Sequence, residues 1–555
     1  MTRSCLASLG LTSALTLLAT TVAAQKKSPE PSKAPPASGN GFAYDDALVR
    51  YRQVMPRLSM HYHTEGREKL AATGKPDALQ ILIEDYQKGK AWQEFARYSL
   101  ATMFGKHFDN AASLPALIAL RNAHNKAGDA WLWYNTLRIQ VDRADQEEVQ
   151  QIAATHKSVM LRAAALLALG EARRGDLKRA MVTTCADFPK REWERAMLVG
   201  AMSGIIAANK SLANDPEFRK GLEAYVGLLA PEVGLSHTIK VQMARHLQWL
   251  LKAPAAFVDP ESWLRILASG DVKKTDNSRT GSAPRFFGVE TDGERMCYVV
   301  DMSDSMCKPI APSAKPEGPT TGPKQKKPKG VLPDESDLPW HKINTRWDLA
   351  REQLKISLWR LPDDKYFSIV WFGTGSGMFE STKSMVRATK TNIDRAIAEL
   401  DSITMGKPMP DRPDGVLRGD TNLHSGIKRA FGLADKGYVE AFAYVDPEAM
   451  VHGCDTILLL TDGEPSSDDL EVVDKDYGEG QVVSNVESGA PAARTPQIRY
   501  WGPYRQPDWL VADVKRMNAF RRIKIHCVGL GEARMDLLRQ IAEVGHGEAI
   551  SVGAK

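Results

Sequence analysis

The sequence predicts two regions of different fold class, an all-α region in the first half and an α/β region in the second half. Up to about residue 270, apolar residues recur at the spacing of one helix face, which is typical of packed helices. From about residue 286, short continuous apolar runs alternate with helical patterns, which indicates a mostly parallel sheet covered on both faces. A polar stretch with Gly and Pro at residues 271–285 marks the predicted boundary.

Chain length and net charge limit the number of domains and the class of partner. A chain of 555 residues exceeds what one hydrophobic core supports, so about two to four domains are expected. With 43% hydrophobic and 25% charged residues, the composition is that of an ordinary globular protein. The net charge of +5 is small for this length, so the composition gives no support to a nucleic-acid binder.

Residues 1–24 have the features of a secretory signal peptide. Arg3 precedes an apolar run at residues 6–22, and small residues before Gln25 provide a cleavage site. The run is near the lower length limit for a membrane span, so an uncleaved N-terminal membrane anchor is the alternative. Residues 25–41 are rich in Pro, Ser and Lys and are expected to form a flexible linker. The protein is therefore expected to be secreted or periplasmic, without a membrane span in the mature chain.

Residues 42–270 are expected to form about ten helices packed as antiparallel pairs. Their apolar residues lie at i, i+3, i+4 and i+7, which gives each helix one apolar stripe. One such stripe consists of Met160, Ala163, Ala164 and Leu167. The segment at residues 156–181, HKSVMLRAAALLALGEARRGDLKRAM, resembles a HEAT-type repeat. No fixed period continues along the region, so an irregular α-solenoid and a helical bundle without true repeats both stay open.

Residues 286–555 alternate between strand and helix patterns. The predicted buried strands are residues 296–300, 366–372, 456–460 and 523–530. The predicted helices are residues 347–361, 392–401, 422–433, 508–521 and 535–544. This order is typical of a doubly wound, mostly parallel sheet with helices on both faces. Two long insertions, at about residues 308–344 and 465–507, interrupt the pattern.

Oxygen-bearing side chains collect where two of these strands end. Asp301, Ser303 and Ser305 follow the first strand, Asp462 follows the strand at residues 456–460, and Thr421 opens a helix between them. Ligands of open α/β sheets bind at the carboxyl edge of the strands, so these side chains are expected to form one site. Two carboxylates and several hydroxyls, without His or Cys, suit Mg²⁺ or Mn²⁺ rather than zinc or copper.

The order Asp-x-Ser-x-Ser, then Thr, then Thr-Asp-Gly resembles the metal-ion-dependent adhesion site (MIDAS) of the von Willebrand factor type A (vWA) family. The segment at residues 346–373, RWDLAREQLKISLWRLPDDKYFSIVWFG, resembles the first helix and second strand of that family. The resemblance covers roughly residues 286–555 apart from the two insertions, and all five metal-site positions match in residue type.

The resemblance implies a role for each of the five residues. Ser303, Ser305 and Thr421 would offer hydroxyls to the ion, directly or through water, while Asp301 and Asp462 would complete or orient the shell. In the family a carboxylate from the binding partner fills the remaining position, and Mg²⁺ keeps exchangeable waters that such a ligand can replace. The expected partner is therefore a protein that presents a Glu or Asp side chain.

Three features around the predicted site have alternative interpretations. Position 304 is Asp where many family members have a small or neutral residue, so it either tightens cation binding, opposes an acidic partner, or is a solvated loop carboxylate. The two insertions either form a rim that selects the partner or are merely solvated. Their candidate contact residues are Lys324, Lys326, Lys327 and Lys329 in the first, and Tyr500, Trp501, Tyr504 and Trp509 in or just after the second.

The sequence therefore predicts a non-enzymatic, metal-dependent binding or adhesion-type protein. A metal-dependent hydrolase is one alternative, but the motifs of Ser hydrolases and zinc proteases are absent from the sequence around the site. The nearest imidazole in sequence, His424, is expected to be a surface or capping residue. A vWA adaptor of an ATPase or chelatase-like complex is the other alternative, and the predicted signal peptide argues against an intracellular machine.

Overall fold

The computed structural model describes ten segments of the chain: residues 43–88, 94–212, 215–253, 255–269, 284–291, 293–311, 332–403, 416–439, 446–474 and 498–553. Residues 42–555 belong to one compact unit. The predicted signal peptide at residues 1–24 and linker at residues 25–41 lie outside the described segments. No helix in the described part of the chain is long and apolar enough to cross a membrane.

The described part of the first half is helical, as the apolar periodicity predicts, and contains thirteen α-helices where about ten were expected. They are α1 (Tyr44–Val54), α2 (Met60–Ala71), α3 (Pro76–Lys88), α4 (Glu94–His107), α5 (Leu114–Ala123), α6 (Ala130–Arg143), α7 (Glu147–Thr155), α8 (Val159–Glu171), α9 (Leu177–Ala186), α10 (Glu192–Ala208), α11 (Pro216–Gly227), α12 (His237–Leu251) and α13 (Pro260–Ser269). Side chains of Ser59, Asp176, Asp215 and Ser236 accept backbone N–H groups where α2, α9, α11 and α12 begin.

Nine of these helices stack in two rows. An inner row runs through α4, α6, α8, α10 and α12, and an outer row through α7, α9, α11 and α13. Helix α8 lies in the middle, where every residue from Val159 to Gly170 is buried, because helices contact it on several sides. Two parallel rows favour the solenoid over the bundle as the packing of this region.

The second half contains the predicted α/β fold. Its strands are β1 (Arg285–Phe286), β2 (Val289–Glu290), β3 (Arg295–Asp301), β4 (Tyr366–Phe372), β5 (Ser376–Met378), β6 (Val386–Arg387), β7 (Leu433–Ala434), β8 (Gly437–Tyr438), β9 (Thr456–Thr461), β10 (Val472–Asp474), β11 (Ile498–Tyr500), β12 (Lys524–Leu530) and β13 (His546–Val552). Its helices are α14 (Arg346–Trp359), α15 (Lys390–Ser402), α16 (Leu423–Phe431), α17 (Pro447–His452), α18 (Pro507–Asn518) and α19 (Met535–Val544). The four strands and five helices predicted from the sequence are confirmed.

The main sheet has the strand order β13-β12-β9-β3-β4-β5, with β6 paired to β4. All pairs from β13 to β4 are parallel, and β5 and β6 are antiparallel to β4. The chain passes from the central strand β3 to β4 on one side and returns to β9 on the other side. The predicted doubly wound, mostly parallel sheet is therefore confirmed, and its switch point lies between β3 and β9.

Successive residues of β3 face two different cores. Tyr298 and Val300 pack with α14 and α15 on one face, whereas Cys297 and Val299 pack toward α16, α18 and α19 on the other. Strands buried on both faces need apolar residues at every position, which explains the continuous apolar runs of the sequence.

The core on the α16 and α18 face continues without a break into the inner row of the helical region. The closest approach is at Gly200 in α10, where a Cβ atom would lie 1.9 Å from the carbonyl oxygen of Phe520. Only glycine allows this separation between α10 and the chain that follows α18. The helical region therefore packs directly on one side of the α/β region.

We expect Gly200→Ala to lower the free energy of unfolding by about 1–3 kcal/mol, because the added methyl group must displace the Phe520 backbone. Urea denaturation of the full chain measures the change. Gly227→Ala is the matched control, since a Cβ at the end of α11 would meet open space. The control should be neutral or stabilising by up to about 1 kcal/mol. Equal stabilities of the two variants would contradict the close contact.

Candidate metal centre

The switch point of the sheet brings the predicted site residues together. Because β3 and β9 are neighbouring parallel strands, Asp301 at the end of β3 lies beside Thr461 at the end of β9. The Thr461 Oγ1 hydroxyl donates a hydrogen bond of 2.6 Å to Asp301 Oδ2. The sequence analysis did not assign Thr461 a role, although it precedes Asp462 in the motif.

Asp301 is fully buried and serves as the central acceptor of the site. Its Oδ1 accepts a 2.8 Å hydrogen bond from the backbone N–H of Ser303, which shapes the loop after β3. Burial, and then the neighbouring Asp462 carboxylate, raise the pKa of Asp301 to about 7. A positive charge between the buried Asp301 and Asp462 carboxylates would therefore be stabilising.

The two serines connect the carboxylates. Ser303 Oγ and Ser305 Oγ lie 3.0 Å apart, and Ser305 Oγ donates to Asp462 Oδ1 at 2.5 Å. Asp462 is 1% exposed and Ser303 is buried, while Ser305 is half-buried. The loops after β3 and β9 thus form one continuous cluster of oxygen atoms.

Thr421 arrives from the loop that precedes α16. Its hydroxyl and that of Ser305 lie 3.5 Å and 3.7 Å from the position that a Cβ would occupy on Gly463, so both border the same small space. Two hydrogen bonds to Ser466 hold this loop in place: Thr421 N donates to Ser466 Oγ at 2.8 Å, and Ser466 N donates to Thr421 O at 3.0 Å. All five residues predicted for the site therefore converge.

Arg346 is a member of this cluster that the sequence analysis missed. Its Nη1 donates a 2.6 Å hydrogen bond to Asp462 Oδ2, the oxygen that Ser305 leaves open. The guanidinium lies against Gly531 and is only 10% exposed as a side chain. A basic residue at the first position of α14 gives no signal in the sequence, because its contact depends on how that helix meets the carboxyl edge.

The donor set fits a hard divalent cation. It combines two carboxylates with the hydroxyls of Ser303, Ser305 and Thr421, which is oxygen chemistry suited to Mg²⁺ or Mn²⁺. In the described part of the chain, no group of three or more His, Cys, Asp or Glu side chains could hold a metal ion. Asp304 is exposed, and its backbone N–H donates to Gly419 O at 3.1 Å.

The loop after Asp462 is anchored to the helical region. Tyr500 and Tyr504 are buried and contact Tyr62 of α2 and Phe95 of α4, with ring centroids 6.4 Å and 5.0 Å apart. The expectation that these tyrosines form a partner-binding rim is wrong, since the helical region covers them. Of the four aromatic residues, Trp501 is the exposed one, with 39% of its surface accessible.

The structure describes residues 308–311 and 332–344 of the first insertion. The lysines expected to attract acidic groups, Lys324, Lys326, Lys327 and Lys329, lie outside the described segments. The described end of that insertion returns to the sheet edge through a bridge between Pro309 and Thr345.

His424 is buried, so its expected role as a surface or capping residue is wrong. Its Nε2 lies 2.8 Å from Asp513 Oδ2, and its ring stacks on Tyr504 at 3.6 Å. Arg516 Nε donates to Asp513 Oδ1 at 2.6 Å. Burial alone would raise the pKa of Asp513, but Arg516 and the His424 hydrogen bond hold that pKa well below its usual range. This network fixes α16, and with it the Thr421 loop, to α18.

Comparison with known proteins leaves the family of the chain open. No family model matches the chain, and no curated protein matches it. One solved structure that matches is a mutant of the PilB minor pilin from Streptococcus sanguinis, at 15% identity and a TM-score of 0.26. The match covers 48% of this chain and 59% of the pilin chain. A likeness at this TM-score carries no argument about fold or function.

We expect Asp513→Asn to destabilise the protein by about 3–5 kcal/mol, because the substitution removes the buried carboxylate that pairs with Arg516 and lies 2.8 Å from His424. Chemical denaturation of the full chain measures the loss. Asp508→Asn is the control on the same helix, where the side chain is exposed and a change within about 1 kcal/mol is expected. A small loss in Asp513→Asn, similar to that of the control, would contradict a structural role for the network.

Proposed function

We propose that residues 286–555 form a vWA domain with a MIDAS, and that the protein is a non-enzymatic, metal-dependent binding protein of the adhesion type, acting outside the cytoplasm. Mg²⁺ or Mn²⁺ is held by Asp301, Ser303, Ser305, Thr421 and Asp462. The observation that carries the proposal is the convergence of these oxygen donors from three separate loops at the switch point of the sheet.

The charges of the cluster favour an acidic partner. The formal charges of Asp301, Asp462 and Arg346 leave one negative charge, and a divalent cation reverses it to one positive charge. A single carboxylate from a partner then makes the site neutral. The cation would supply an electrophilic position for a partner oxygen, and Mg²⁺ retains waters that such an oxygen can replace.

The surroundings of the cluster support binding over hydrolysis. General bases in hydrolases must reach the proton that they remove, usually within hydrogen-bond distance or through one water. Among the described residues, no imidazole forms a hydrogen bond with the five proposed ligands. His424, three residues after Thr421, points instead to Asp513 in the core.

Calorimetric titration of Mg²⁺ and Mn²⁺ tests the metal site. We expect the wild-type chain to bind either ion, and Asp301→Ala to weaken binding by about 10–100-fold or more, because the central acceptor of the cluster is removed. Asp304→Asn is the matched control, since it removes an exposed carboxylate beside the cluster. The control should change affinity by no more than about threefold. Identical titrations of wild type and Asp301→Ala would refute the proposal.

Arg346 should compete with the cation for Asp462. We expect Arg346→Gln to bind Mg²⁺ about tenfold more tightly, because a positive charge beside the ion is removed and one Asp462 oxygen is released. Arg346→Lys keeps the charge and should bind close to wild type. The same calorimetric titration measures both variants. Weaker binding by Arg346→Gln would show instead that Arg346 positions Asp462 for the ion.

A further inference from the structure

The hairpin formed by β10 and β11 presents one face to solvent beside the candidate metal centre. Tyr500 is buried against Tyr62 of α2, and its register partner across the hairpin is Val472. Because successive residues of a strand point to opposite faces, Arg499 and its register partner Val473 lie on the other face. Val473 is 48% exposed. The hairpin thus has a buried face toward the helical region and an exposed face on its other side.

Trp501 extends this exposed face. It directly follows β11, two residues after Arg499, so the alternation of the strand places it on the same side. Its surface is 39% exposed. The guanidinium carbon of the half-buried Arg505 lies 3.4 Å from the centre of the indole ring, close enough for a cation–π interaction. This contact holds the ring in one orientation, so a partner that binds it loses little side-chain entropy.

Arg499 connects the exposed face to the loop that carries Thr421. Its Nη2 donates a 2.7 Å hydrogen bond to Asp420 Oδ2, and Asp420 directly precedes Thr421. Its Nε donates to Glu471 Oε2 at 2.5 Å. Arg499 is therefore paired with two carboxylates and fixes the hairpin relative to the Thr421 loop. The exposed face of the hairpin thus borders one of the proposed metal ligands.

Asp468 provides a second connection between Trp501 and the metal loop. A Cβ atom on Gly502, the residue after Trp501, would lie 1.7 Å from Asp468 Oδ1. Only glycine allows the chain to approach this buried carboxylate so closely. Asp468 follows Ser466 by two residues, and Ser466 N donates to Thr421 O at 3.0 Å. One short loop therefore holds both Trp501 and Thr421, within reach of a partner segment of about seven residues, which spans up to about 24 Å when extended.

We propose that Trp501 and Val473 form the second contact of the protein that binds the metal centre. The partner places an acidic residue on the cation and an aromatic or large aliphatic side chain on Trp501. This inference rests on the proposed function, because the exposed face of the hairpin is continuous with the Thr421 loop. Tryptophan is among the residues that contribute most to binding at protein interfaces. A carboxylate alone is common to many proteins, so the apolar contact would supply the specificity.

Selection of peptides on the full chain tests this surface. The probe is a phage-displayed library of random heptapeptides, selected in the presence of Mg²⁺. We expect the wild type to enrich peptides that combine Glu or Asp with an aromatic or large aliphatic residue. Trp501→Ala should still enrich acidic peptides, because the metal ligands are unchanged, but it should lose the preference for the apolar residue.

Calorimetric titration of an enriched peptide measures the contribution of Trp501. We expect Trp501→Ala to weaken binding of that peptide by about tenfold or more, and Trp501→Phe, which keeps an aromatic ring, to weaken it less. Trp359→Ala is the matched control and should leave the affinity unchanged. Trp359 is 43% exposed and ends α14, about 20 Å along the helix from Arg346 at the metal centre. Affinity for Mg²⁺ itself should be the same in all these variants.

The outcomes separate this inference from the proposed function. If the wild type showed no Mg²⁺-dependent selection, or if Asp301→Ala selected the same peptides, the metal-dependent function would be refuted and this contact with it. If acidic peptides were selected without an apolar preference, or if Trp501→Ala bound the enriched peptide as tightly as the wild type, only the second contact would be overturned. Loss of Mg²⁺ affinity in Trp501→Ala would also overturn it, since Trp501 would then support the metal loop.

Discussion

The α/β region depends on the burial of two carboxylates side by side. Asp301 ends β3 and Asp462 directly follows the neighbouring strand β9, so the topology holds the two carboxylates close together. Isolated carboxylates at this depth are strongly unfavourable, and like charges raise the proton affinity of one of them. The hydroxyls of Ser303, Ser305 and Thr461 and the guanidinium of Arg346 offset this cost. The loops after β3 and β9 therefore adopt conformations that place these polar groups against the two carboxylates.

The helical region contributes to the same edge indirectly. Tyr504 packs on Phe95 of α4 and on His424 of α16, whose first turn follows the Thr421 loop. Nearby, Asn422 donates to Asp469 at 2.8 Å, so the loop before α16 and the loop after β9 are tied together. A site assembled from separate loops needs such support, because a shift of about 1 Å in one ligand is enough to spoil its geometry. The inner row of helices thus supports the loops of the α/β region that carry the proposed site.

The sequence predicted the features whose signals are local. Strands buried on both faces must be continuously apolar, so residues 296–300 and 456–460 were identifiable, and the motif residues that follow them were placed correctly at the strand ends. Contacts between distant segments were not identifiable. Arg346, His424 and the buried tyrosines owe their positions to the angle of α14 and to the docking of the helical region, and no local pattern encodes either. Amphipathic residues such as tyrosine are common both on exposed binding rims and at interfaces inside a protein. Composition alone therefore could not separate these two locations.

The two edges of the main sheet carry different charged side chains. Strand dipoles contribute little, so the polarity comes from side chains: carboxylates follow the strands at one edge, and guanidinium groups lie where the strands begin. At the carboxyl edge, Arg346 neutralises only part of the charge, which supports the proposed cation site. At the amino edge, Arg245 pairs with Asp455 at 2.5 Å, and Arg521 donates to the carbonyl oxygens of Phe431 and Cys454. Because α12 packs at the amino edge and the loops after β3 and β9 form the carboxyl edge, the proposed cation can bind without displacing α12.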